Sequence, residues 1–107
     1  MKTITVYNDP GHAWGAVKIS ELQALGIADR ISTYSYQRGK TAYLEEDCDL
    51  SVYLAALKAA GHEIQFKEKH TNNRSPIRSY QSYRPPLDPA QFIRDHFQII
   101  HIGDHRA

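Results

Sequence analysis

A carboxylate, an imidazole and an indole stand within six residues at Asp9-Pro10-Gly11-His12-Ala13-Trp14. Such a set can move a proton, with Asp9 orienting His12 as acid or base. The same residues also have a structural use. An aspartate before Pro-Gly closes a turn on its own backbone, and Trp14 is large enough to be core.

A second group, Glu45-Glu46-Asp47-Cys48-Asp49, puts four acids in five residues. Oxygen ligands this dense suit a hard divalent cation. A site combining His12 with Asp9, Glu45 or Glu46, as acid and base or around such a cation, is the enzyme reading of the chain. The spaced acids and central glycine of a calcium loop are missing, however, and negative charge at a helix start is what the helix dipole favours. Capping is therefore the structural alternative. Neighbouring acids disfavour the thiolate of Cys48, which predicts a small buried apolar side chain instead of a nucleophile. The histidines His12, His62, His70, His96, His101 and His105 include one helical pair, His101 and His105, but Gly103 lies between them and no His-Glu-x-x-His motif supports it. Neither a metal site nor a cofactor is predicted.

The third group is a change of character. Thr71 to Pro86 carries three arginines, two tyrosines, three prolines and no acid. Arginine pairs with phosphates or carboxylates through two parallel bonds, and tyrosine offers a flat face to bases or to a partner's side chains. Arg74, Arg78, Tyr80, Tyr83 and Arg84, together with Arg38 and Lys40 at a hairpin tip, are the predicted contact groups. A solvated connector is the alternative, although structureless loops beyond about 12–15 residues are uncommon in compact domains without a role.

The chain has 107 residues, 41% of them hydrophobic and 23% charged, which predicts one domain. Cys48 is the only cysteine, so an internal disulfide is excluded and a reducing cytoplasm is the expected setting. No signal peptide or membrane span is predicted. Residues 1–66 hold six Lys/Arg against eight Asp/Glu (net −2), and residues 67–107 hold seven against four (net +3). The basic excess at the back is milder than that of a dedicated nucleic-acid domain.

These residues need a scaffold. Residues 3–7 alternate, with Ile4 and Val6 on one face, and predict a strand; Val17 and Ile19 suggest another after the turn. Ser20 and Gln23 have capping-box spacing, and Gly26 closes a short helix near 20–26. Ile31 to Leu44 reads as a hairpin around Gln37-Arg38-Gly39-Lys40. Leu50, Tyr53, Leu54 and Leu57 share one face of a main helix at about 49–60. Residues 62–68 form a strand with Ile64 and Phe66 inward, and Asp88-Pro89 starts a helix near 89–97. The expected fold is α+β: a mostly antiparallel sheet of four or five strands under one main helix.

Three pieces of this chain, Asp9 to Trp14, Tyr34 to Gly39 with Tyr43 to Asp49, and Asn73 to Arg78, together resemble a group of small bacteriophage and mobile-element proteins with no assigned activity. The resemblance spans about residues 4–80. It implies a cytoplasmic accessory protein that engages a host protein or nucleic acid without chemistry of its own, in host takeover or against host defence. The enzyme reading above is one alternative. A homo-oligomeric structural protein is another.

Overall fold

The computed structural model describes residues 1–86. The expected helix near 89–97, and His96, His101 and His105, lie outside the described residues. The fold is α+β, with a sheet of six strands in the order β5-β1-β2-β4-β3-β6. The strands are β1 (Lys2–Asn8), β2 (Ala13–Lys18), β3 (Tyr36–Arg38), β4 (Thr41–Glu45), β5 (Ile64–His70) and β6 (Gln81–Ser82). The helices are α1 (Ile19–Ala24) and α2 (Asp49–Ala59). Among the described residues all strand pairs are antiparallel except β1 with β5.

That parallel pair follows from the helix. The chain leaves β4, crosses one face of the sheet as α2, passes over β2 and β1, and enters β5 alongside β1. The apolar face of α2 drives the crossing: Leu50, Tyr53 and Leu57 are buried against Ile4, Val17, Ala42 and Leu44. Gly15 makes the approach close, since a Cβ there would stand 2.6 Å from Leu50 Cδ1. Between β3 and β4 the turn is only Gly39-Lys40, with Arg38 paired to Thr41. Gly39 has φ of +60°, the positive value that a tight hairpin turn of this kind requires at its first position.

Several expectations are corrected. The sheet has six strands, because residues 81 and 82 pair with Tyr36 and Gln37 at the far edge. The Ser20 capping box does not form; α1 begins at Ile19, whose N–H donates to the Lys40 carbonyl at 2.9 Å. Ile19 therefore opens the helix instead of ending the strand. Phe66 is 51% exposed, not inward, because β5 is the outer strand and the helix covers only its start at Ile64. Cys48 is exposed. Its thiolate is disfavoured as expected, chiefly by the charge of Asp49.

The largest departure is at Asp49. It does not cap α2, whose N-cap residue Cys48 makes no side-chain bond. Asp49 is 1% exposed and accepts from Ser32 N–H (3.0 Å), Ser32 Oγ (2.7 Å) and Ser35 Oγ (2.5 Å). Ser35 Oγ in turn accepts from the Glu45 N–H at 2.9 Å. This buried carboxylate explains why residues 31–35 turn inward where a long hairpin arm was expected. A buried charge needs several hydrogen bonds, and the serine-rich segment supplies them.

Replacing Asp49 by Ala orphans the buried serine donors and is expected to lower stability by about 2–4 kcal/mol in urea unfolding. A midpoint indistinguishable from wild type would contradict the role assigned to this carboxylate.

Candidate functional site

The strand registers divide the sheet into two chemically different faces. The helix-covered face holds the apolar core. On the other face, alternation places Thr3, Thr5 and Tyr7 of β1, Trp14, Ala16 and Lys18 of β2, and Thr41, Tyr43 and Glu45 of β4. Tyr36 and Arg38 of β3 and Gln65, Lys67 and Lys69 of β5 complete it. Glu45, at one end, is the only acid in this strand-borne set.

No helix among the described residues covers this face, and a connected row of rings and cations crosses it. Lys69 Nζ lies 5.8 Å from the Tyr7 ring centre, Tyr7 meets Tyr43 at 6.1 Å, and Tyr43 meets Tyr80 at 5.3 Å. The Arg38 guanidinium ends the row, 5.2 Å from the Tyr80 ring and donating to its hydroxyl at 3.3 Å. The three tyrosines are half-buried, while Lys67, Lys69 and Arg38 are exposed. Partial burial, then the neighbouring phenols, push the Tyr43 hydroxyl above its ordinary value, so it stays neutral at physiological pH.

Tyr80 reaches the row because the segment from residue 71 onward is fastened down. Thr71 N–H donates to the Asn8 carbonyl at 3.0 Å, and His70 bonds through its ring to Asn8 and Asn72. The main fastening is Asp9. Its carboxylate is 1% exposed and accepts Arg78 Nε at 2.7 Å, Arg78 Nη2 at 2.9 Å and the Ser75 N–H at 2.9 Å. It also closes its own turn, accepting the Gly11 and His12 N–H groups at 3.0 Å each. The guanidinium then lies 5.4 Å from the Trp14 ring, and a 3₁₀ turn at Pro76–Ser79 buries Ile77.

The predicted contact residues therefore separate. Arg74, Arg84, Arg38 and Lys40 are exposed, and Tyr80 is half-buried within the row. Arg78 and Tyr83 are corrected: they face the protein itself. Arg78 is spent on Asp9 and Trp14. Tyr83 is fully buried, and its hydroxyl donates to the Ala28 carbonyl at 2.6 Å. Burial pushes its phenol up to about 12. Long tyrosines beside arginines read as a contact surface in sequence, whereas the core had one aromatic slot to fill between residues 28 and 35.

Beside the row, His12, Trp14, Tyr34, Tyr36, Glu45, Asp47, Cys48 and Arg78 line an open cleft of about 410 Å³. His12 Nδ1 stands 3.9 Å from Glu45 Oε1, so the turn and the acidic segment do converge. Asp9 does not orient the imidazole, because its oxygens are occupied by backbone donors and Arg78. Glu46 is exposed and takes no part in the cleft; Asp47 takes its place. Tyr7 and Tyr43 are not among the contact groups that the sequence singles out. The available signal was alternation, since Tyr7 is out of phase with Ile4 and Val6, and Tyr43 with Ala42 and Leu44.

Arg78 and the Ser75 N–H hold the Asp9 carboxyl far below its ordinary range. The unfolded carboxyl titrates near pH 4, so this stabilisation is complete above about pH 4 and is lost as pH falls below it. Asp9→Asn is therefore expected to melt lower than wild type at pH 7, with the gap narrowing as the pH is lowered through 3. A gap independent of pH, followed by thermal melts, would contradict the ion pair as its origin. Comparison with protein-family models, curated proteins and solved structures finds no match, so function is inferred from geometry.

Proposed function

We propose that this domain is a non-enzymatic binding protein that takes single-stranded nucleic acid on the sheet face opposite α2. The observation that carries this reading is the row Lys69–Tyr7–Tyr43–Tyr80–Arg38, with Lys18 and Lys67 on the same face. Every base offers a π-face to a tyrosine ring, and the backbone between bases carries the negative charge that the flanking Lys and Arg attract. An exposed sheet with aromatics at alternate positions presents rings at a spacing a splayed strand can follow, whereas a duplex hides its bases. Arg74 and Arg84 add exposed charge along the fastened segment.

A protein partner would use the same residue types. The face favours nucleic acid because its cations are spread around the rings and the one strand-borne acid lies at the cleft end. The resemblance to small bacteriophage and mobile-element proteins supplies a setting in which a cytoplasmic accessory protein meets a host's nucleic acid. No helix among the described residues is long and apolar enough to cross a membrane.

Fluorescence anisotropy with labelled single-stranded DNA and RNA tests this. Affinity is expected to fall log-linearly with salt, with a slope of about −0.7 per phosphate contact. Tyr7→Ala and Tyr43→Ala should each weaken binding by about 1–3 kcal/mol while thermal melts show a folded protein. Absence of binding at low salt, or binding indifferent to salt and to both tyrosines, would overturn the reading.

A further inference from the structure

We propose that His12, Glu45 and Asp47 form a site for a divalent first-row cation of the Zn²⁺ or Co²⁺ kind at the mouth of the cleft. One ligand atom from each residue lies within 4.8 Å of the other two. His12 Nδ1 and Glu45 Oε1 are 3.9 Å apart, too long for a direct hydrogen bond. Ligands at about 2.0–2.2 Å around a tetrahedral ion stand about 3.3–3.6 Å from one another, so a small inward turn of the side chains completes the set. His12 is 47% exposed in its side chain and Asp47 is exposed, so both are free to make that turn.

The framework around the three groups is fixed. Glu45 is the last residue of β4, paired with Trp14, and its side chain is 14% exposed. Its Oε2 accepts the Asp47 N–H at 3.0 Å, which leaves Oε1 directed at His12. The His12 backbone is held by Asp9 at 3.0 Å, so the turn positions the imidazole without engaging its ring. Such supporting bonds are what align metal ligands.

The donor set selects the ion. One imidazole with two carboxylates suits Zn²⁺, Co²⁺ or Mn²⁺ better than Mg²⁺ or Ca²⁺, which take oxygen alone. Three protein ligands leave a position open to the cleft, where water or an anionic ligand would complete the shell, with Arg78 on the cleft wall. This site does not depend on the nucleic-acid reading and is tested apart from it.

Trp14 is the only tryptophan of the chain and lines the cleft, with its ring 6.1 Å from the His12 ring. Bound Co²⁺ therefore quenches its emission, and the signal reports this site locally. The full-length protein titrated with CoCl₂ is expected to show saturable quenching that ZnCl₂ competes away. His12→Ala should move the midpoint by about tenfold or more, and Asp47→Asn should move it in the same direction. Both residues are exposed and neither side chain supports the core, so the variants should keep the wild-type melting temperature. His70→Ala, outside the cleft, should leave the midpoint unchanged. Quenching that does not saturate, or an unshifted midpoint in His12→Ala, would overturn the proposal.

Discussion

The carboxylate of Asp9 joins the two halves of this molecule. It accepts two backbone N–H groups of its own turn, one from Ser75 and two bonds from Arg78, at 2.7–3.0 Å. A buried carboxylate can tolerate desolvation only with this many donors, and a planar guanidinium supplies two in parallel. The tie joins the β1–β2 turn to a segment more than sixty positions away in the chain. Gly11 is part of the same arrangement, because a Cβ there would stand 2.7 Å from Arg78 Nη2.

What hangs on that tie is the sheet face opposite α2. The turn at Pro76–Ser79 lays Arg78 beside Trp14 and brings Tyr80 against Tyr43. The chain then adds β6 to the sheet edge and drives Tyr83 into the core. Asp49 plays the matching part on the inner side by turning residues 31–35 toward α2. Two buried aspartates thus fix two irregular segments, residues 31–35 and the stretch carrying Ser75 and Arg78. Each does so with hydrogen bonds, where a core of this size has little apolar area to spare.

Legibility in the sequence followed periodicity. β1, the Gly39 turn and α2 were readable because Ile4/Val6 alternate, a glycine sits at the hairpin turn, and Leu50, Tyr53 and Leu57 recur at helical spacing. The parallel β1–β5 pair was not, since strand order depends on which strands α2 crosses, and no local pattern records that. Asp49 read as a capping acid because its hydrogen-bond partners, Ser32 and Ser35, become neighbours only after the chain turns. Arg78 and Tyr83 read as contact groups for the same reason: their acceptors, Asp9 and the Ala28 carbonyl, are distant in sequence. The cleft was half legible, with His12 and Glu45 anticipated and Asp47 in place of Asp9 and Glu46. The tyrosine row required the register, which puts Tyr7, Tyr43 and Lys69 on one face.

That division of the sheet into a packed face and a ring-and-cation face is the centre of the account. Mapping amide shifts by two-dimensional NMR while single-stranded oligonucleotide is added tests it most directly. The account predicts perturbations concentrated on β1, β4 and β5 around Tyr7, Tyr43 and Lys69, and at Tyr80, with the buried residues of α1 and α2 unmoved. Perturbations centred on the helices, or none at saturating oligonucleotide, would contradict it.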